Sequence, residues 1–224
     1  WDILFPRFTF VEPSAWPERR KVEGRALRVL HFDDHPDYSG TIFVEHAVNQ
    51  LKGKGTVIEL VRVKSGDEAA RKRCFEQADV FVDGLNAPGY SALAVEAMAS
   101  GVVVLANMEA LFNCQVYRRY SFLQECPVKS ATPESVETVL GALAADRSTL
   151  DETGACGRSY VSSRHSLKAA ATLFRKIDES LQKSPFEEEA RPSLINFYHP
   201  KQWALTHTPN TEPPLEQAEE EAAD

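Results

Sequence analysis

A doubly wound α/β fold is predicted by two features of the chain: short β-branched runs alternate with amphipathic segments, and several of the runs are apolar throughout. Strands are expected at 27–32 (LRVLHF), 57–63 (VIELVRV), 79–83 (DVFVD), 102–106 (VVVLA) and about 126–129 (CPVK). Helices are expected at 40–52, 67–77, 91–100, 133–145, 147–162 and 166–182. A strand such as VVVLA, with no polar alternation, fits burial on both faces, the situation of a parallel sheet wrapped by right-handed crossovers. Leu30, Val61, Val82 and Val104 are the expected sheet core.

Local signals set the boundaries. Ser91 can cap the helix over 91–100, and Gly101 suits the left-handed turn that ends it. Thr132-Pro133-Glu134 reads as an N-cap followed by proline in the first helical position. The pattern divides the chain into a connector over 1–24, an α/β domain over 25–182 and a polar tail over 183–224. Six of the 13 prolines and none of the 11 glycines fall beyond residue 183. The end, PPLEQAEEEAAD, is expected to be solvated. LINFYHPKQWAL (194–205) carries aromatics that are expected to dock on a surface.

The net charge of −8 is concentrated in that tail, where residues 184–224 hold nine Asp/Glu against Arg191 and Lys201. The body is therefore close to neutral, which argues against nucleic acid as a partner, since such binding rests on a Lys/Arg excess. The four cysteines, Cys74, Cys114, Cys126 and Cys156, show no zinc-ligand spacing, so no metal is expected and the thiols read as reduced, favouring a cytoplasmic setting. No run reaches the about 18 apolar residues of a transmembrane helix. The chain opens at Trp1 with Pro6, Pro13 and Pro17 close behind, and an upstream part is expected to precede it.

In an open parallel sheet, ligands bind beyond the carboxyl ends of the strands, where helix N-termini offer free N–H groups. Two loops stand there: 33–40 (DDHPDYSG) and 84–91 (GLNAPGYS). Gly89 lets backbone approach a ligand, and the helix from Ser91 aims its dipole at the cleft. Glu96, in that helix's second turn, leans back toward the same edge, where a carboxylate can accept two hydroxyls of a ribose or sugar.

YSALAVEAMASGVVVLAN (90–107) resembles the donor-site helix and following strand of family 4 glycosyltransferases of the GT-B fold. The likeness continues through CPVKSATPESVETVL (126–140) and GACGRSYVSSRHSLKAAATLF (154–174), and covers about residues 25–182. The resemblance implies a Rossmann-like domain, the C-terminal half of a GT-B fold, that holds a nucleotide-sugar donor. An absent N-terminal Rossmann domain would then hold an acceptor whose identity the sequence does not give. It also implies that Glu96 binds the nucleotide ribose and that Gly89, Tyr90 and Ser91 form the loop whose amides face the diphosphate or sugar. The chain departs from the family in two places. Pro88 stands where the family has a second glutamate, and Asp34 to Ser39-Gly40 stand where it has an arginine and a Lys-Gly on the diphosphate. His35, when protonated, would partly replace those cations.

Two other readings remain open. Asp33-Asp34-His35-Pro36, Asp83 and Lys129 are the residue types of a response-regulator receiver pocket, although Ala106-Asn107 lacks the hydroxyl that receivers place after strand four. A degenerate GT-B module without catalysis would also account for the missing cations and Pro88. Among the remaining histidines, His31 is expected to be a satisfied core residue and His165 to order the closing helices. Gly154-x-x-Gly157 follows no strand and is not expected to bind phosphate.

Overall fold

The computed structural model describes residues 9–21, 24–109 and 126–182. The docking segment expected at 194–205 lies outside these residues, as does Cys114. Five parallel strands, β1 (Leu27–Phe32), β2 (Ile58–Val63), β3 (Val80–Val82), β4 (Val103–Ala106) and β5 (Lys129–Ser130), form one sheet in the order β2-β1-β3-β4-β5. The winding of the sheet reverses between β1 and β3, so the crevice of an open α/β sheet falls there.

Strand alternation divides the core. Leu27, Val29, Val80, Val82, Val103 and Leu105 face one side, under α2 (Thr41–Gly53) and α5 (Val136–Ala145). Leu30, Phe32, Phe81, Val102 and Val104 face the other, under α3 (Glu68–Gln77), α4 (Ala92–Ala99) and α6 (Ser148–Arg164). Period-two side chains buried on both faces explain why the strands carry no polar alternation. Leu30, Val82 and Val104 are buried as expected, whereas Val61 is only partly so, because β2 is the outer strand of the sheet.

Most expected helices coincide with observed ones. Two differ at their starts. A short α1 (Pro36–Ser39) precedes α2, and Pro133 to Ser135 form a turn rather than the first helical turn of α5. There Thr132 O accepts from the amides of both Ser135 and Val136, and Thr132 N donates to Ser135 Oγ, so the threonine closes a turn instead of capping a helix. α7 (Leu167–Gln182) ends the described chain.

The expected connector packs on the domain over its described part. Trp16 is buried beside Phe75, with ring centroids 6.0 Å apart. Val11 N donates to His165 O at 2.9 Å, and Arg19 N to Ser100 O at 2.8 Å. Arg19 and Arg25 both reach Asp79 Oδ1 at 2.9 Å, and Arg28 N donates to its other oxygen at 3.0 Å. Asp79 is thereby fully engaged at the amino-terminal edge of the sheet, opposite the expected site. Among the described residues no helix is long and apolar enough to cross a membrane.

Candidate functional site

At the carboxyl edge the two site loops are tied to each other. Leu85 N donates to Ser39 O at 3.1 Å, and Asn86 Nδ2 to Asp37 O at 2.6 Å. Gly40, at φ 75°, makes the approach possible: a Cβ there would lie 3.0 Å from the Leu85 Cβ, and the left-handed backbone disfavours any other residue.

α4 begins under a second tie. Asp83 at the end of β3 accepts from Ser91 N at 2.6 Å and Ser91 Oγ at 2.8 Å, while that hydroxyl oxygen accepts from Leu93 and Ala94 amides. Burial pushes the Asp83 carboxyl up, and the hydrogen bonds from Ser91 and Gly84 partly offset this. Gly89 N donates to Asn107 O at 2.7 Å. The amides of Gly89 and Ser91, expected to face a diphosphate, are therefore spent inside the protein. Asp83, at the end of a strand and one of the residue types of a receiver pocket, is the acceptor that sets the start of α4.

Tyr90 turns inward. Its hydroxyl lies 3.1 Å from the Tyr160 hydroxyl and 3.3 Å from His165 Nε2, and burial raises both phenols. Cys126 belongs to the same cluster, its thiol pushed up to about 11 by burial. His165 Nδ1 donates to Thr9 O at 3.0 Å, tying α6 to the connector, and burial lowers its pKa.

Glu96 occupies the second turn of α4 at the edge, but it is paired. Arg71 Nε lies 2.6 Å from one carboxylate oxygen and Nη2 2.9 Å from the other, and Arg71 Nη1 donates to Gly66 O at 3.0 Å. Arg71 stands in the first turn of α3, whose N-cap Asp67 accepts from Ala70 N at 2.7 Å. Cations absent from the loop over 33–40 thus reach this edge from β2 and α3. Arg62 Nε lies 2.6 Å and Lys64 Nζ 3.1 Å from the Asp33 carboxylate, and Arg62 also pairs with Glu45. These two bonds hold the Asp33 carboxyl below its ordinary range. Asp34 accepts from Ser65 N at 3.0 Å, and His35 is exposed at the N-terminus of α1.

Ser39 and Thr41 connect to the core. His31 Nδ1 lies 2.9 Å from Val82 O, its Nε2 2.9 Å from Thr41 Oγ1, and Thr41 Oγ1 3.1 Å from Ser39 Oγ. His31 is the satisfied core residue expected, and burial lowers its pKa.

Of the expected ligand residues, the edge carries Glu96 on Arg71, His35 exposed and Ser39 half-buried, with Gly40 buried against Leu85. It withdraws the Tyr90 side chain and the Gly89 and Ser91 amides. Arg71, Arg62 and Lys64 were not anticipated. The acids of a receiver pocket are each engaged by other groups: Asp33 faces Arg62 and Lys64, Asp34 faces Ser65, and Asp83 is buried on Ser91. Among the described residues no group of three or more His, Cys, Asp or Glu is placed to hold a metal ion. A cleft of about 280 Å³, lined by residues including Arg28, Leu30, Val61 and Arg73, lies beside α3 away from this edge.

No protein-family model matches the chain, and no curated protein does. Among solved structures it is similar to a point mutant of S. aureus TarM in complex with Fondaparinux, alpha-GlcNAc-glycerol and UDP, at 11% identity and TM-score 0.47 over 75% of this chain. It spans 38% of that protein's length. It is also similar to the C-terminal domain of a glycosyl transferase group 1 family protein (LpcC) from Francisella tularensis, at 12% identity and TM-score 0.44, covering 70% of this chain and 99% of that one. The α/β fold itself stands on the strand order and packing described above.

Proposed function

We propose that this chain is the donor-side domain of a nucleotide-sugar-dependent glycosyltransferase, with the nucleotide held at the N-terminal ends of α3 and α4. The observation that carries the reading is the Glu96–Arg71 pair at the carboxyl edge of a doubly wound sheet. A carboxylate suits the two hydroxyls of a ribose, and an adjacent guanidinium suits a diphosphate, which it can bind through two parallel N–H donors. In the free protein each satisfies the other; a nucleoside diphosphate offers partners to both. Lys64, whose side chain is 64% exposed, stands on the same edge and can add charge, with the exposed His35 near its partner Asp33 in sequence, at the start of α1.

Binding in this reading needs no metal, because the cations are side chains. Transfer needs an acceptor and any general base set in near-attack geometry by a facing domain. Residues 1–224 alone are therefore expected to bind a donor without transferring its sugar, in a cytoplasmic setting consistent with the free thiols of Cys74, Cys126 and Cys156.

A second reading, an interaction module derived from such a domain, is favoured by the stitched loops and by the internal use of the Gly89 and Ser91 amides. Calorimetry with UDP, GDP and ADP separates the two. Binding of one of them, weakened by about 1.5–3 kcal/mol in Glu96→Ala, supports the donor site. No binding, together with no phosphorylation by acetyl phosphate and Mg²⁺, supports the interaction module. Phosphorylation lost in Asp83→Asn would instead return the receiver.

A further inference from the structure

α3 covers only part of its side of the sheet. The Phe75 ring packs on Phe32 and Phe81, with centroids 5.6 and 5.5 Å apart, which seats the helix over β1 and β3. Beyond it the same face of the outer strand β2 stays partly open, and Val61 and Val63 are only half-buried. The cleft of about 280 Å³ beside α3 lies in this gap, with Leu30 and Val61 in its lining. Ala70, Arg73, Cys74 and Gln77, spaced by three and four residues, bring one flank of α3 to it.

Its polar groups are donors. Arg28 Nη1 donates to Gln77 Oε1 at 3.0 Å, which leaves Arg28 Nη2 and the Gln77 amide nitrogen to donate elsewhere. Arg28 Nε is buried without a hydrogen bond, and the half-exposed Glu59 stands 3.5 Å from it. Arg73, exposed on the flank of α3, has no carboxylate partner among the described residues. Burial pushes the Cys74 thiol up, and the charges of Arg73 and Arg28 oppose that shift, so both guanidiniums act on the space around this sulfur.

Two cations beside an apolar floor suit one kind of molecule. A guanidinium binds a carboxylate through two parallel N–H donors, and Leu30 and Val61 are covered only if the rest of the ligand is apolar. A free phosphate would leave the floor wet, and a neutral hydrocarbon would leave the cations unpaired. The volume sets the size: at about 30 Å³ for each water, the cleft holds about nine water-sized groups, enough for an acid of about six carbons. We propose that this cleft is a second binding site, for a small monocarboxylate whose head lies between Arg28 and Arg73 and whose carbon chain lies on Leu30 and Val61. The site is separate from the Glu96–Arg71 edge and does not rest on the nucleotide-sugar reading.

The test is calorimetry on the full chain with hexanoate, butanoate, hexanol, hexylamine and inorganic phosphate. Hexanoate is expected to bind in the millimolar range, and butanoate more weakly by up to about fourfold for each missing methylene. The alcohol, the amine and phosphate should bind more weakly than hexanoate, each lacking one half of the match. Arg73 is exposed, so Arg73→Gln should fold as the parent does and weaken hexanoate about tenfold or more, the scale of a charge-assisted hydrogen bond. Cys74 reports the place on the wild-type chain: saturating hexanoate should slow its alkylation by iodoacetamide, read by peptide mass spectrometry, and leave the exposed Cys156 unaffected. Hexanol or phosphate binding as tightly as hexanoate would show that only one half of the ligand is read, and would overturn the assignment. Undiminished binding by Arg73→Gln, an unprotected Cys74 or no binding of hexanoate would each overturn it as well.

Discussion

Glu96 and Arg71 meet in a two-pronged ion pair, 2.6 and 2.9 Å, that joins the N-terminal ends of α4 and α3. The side chains are only 14% and 18% exposed, so the pair lies largely out of water, where a charge-assisted fork is stronger than a surface contact.

Removing either partner is expected to destabilise the fold by about 1.5–3 kcal/mol, since the other charge is left partly desolvated. The double variant Arg71→Ala/Glu96→Ala should be less destabilised than the sum of the two, a coupling that urea denaturation of all four proteins measures. For ligands the variants should diverge. Arg71→Ala frees Glu96 and should hold or improve nucleoside affinity while weakening the diphosphate, whereas Glu96→Ala should weaken both. Equal losses for nucleoside and diphosphate in Arg71→Ala would separate Arg71 from the phosphates.

Asp83 governs the loop that precedes α4. Asp83→Ala leaves Ser91 N–H without its acceptor in a part-buried setting, and a loss of about 1–3 kcal/mol is expected. Asp83→Asn keeps one acceptor oxygen and should lose less. Chemical denaturation checks both; an Asp83→Ala protein within about 0.5 kcal/mol of the parent, the range of ordinary surface substitutions, would show the tie to be dispensable.

The sheet was legible in the sequence because its information is local. The short apolar runs LRVLHF and VVVLA, Ser91 before a helix and Gly101 after it each report on their own neighbours, and all four are seen in the fold. The site was less legible because its partners are distant in sequence. Arg71 reaches Glu96 across 25 positions and Asp33 reaches Arg62 across 29, and neither spacing belongs to a motif. The basic run Arg71-Lys72-Arg73 in the first half of α3, the crossover helix beside α4, was the one available hint of a cation. The role of the Tyr90 side chain was hidden for a related reason: the residue sits in the expected loop, but its ring packs on Tyr160 and His165, some 70 positions away.

Stability should depend on pH through two buried histidines. Burial lowers the folded pKa of His31 and of His165 below the ordinary 6.5. Between the folded values and 6.5 the unfolded chain binds more protons than the folded one. Stability therefore rises with pH across that window, and the contribution is lost as pH falls through it. Each histidine adds up to about 1.4 kcal/mol per pH unit to the slope. His165→Gln should reduce the slope by about one proton, measured as the urea midpoint from about pH 4.5 to about 7.5, a range that brackets the ordinary histidine pKa. An unchanged slope would mean that His165 is not held neutral.

The last prediction concerns Gly154 and Gly157, three residues apart on α6 and both buried. A Cβ on Gly154 would lie 2.3 Å from the carbonyl oxygen and 3.1 Å from the carbonyl carbon of Gly101, both backbone atoms that end α4. No rotamer relieves that contact, and Gly101 is itself fixed at φ 74°. Gly154→Ala must therefore push α6 off α4, with an expected loss of about 1–3 kcal/mol from overpacking. A Cβ on Gly157 would instead meet Met98 at 3.4 Å, side-chain atoms included, which is ordinary contact. There alanine gains about 0.8–1 kcal/mol of helix propensity over glycine, so Gly157→Ala should be neutral or stabilising. Thermal and urea denaturation of the two variants side by side decide the matter. Equal effects at both positions would mean that α6 does not cross the Gly101 backbone this closely, and would remove the reason for glycine at 154.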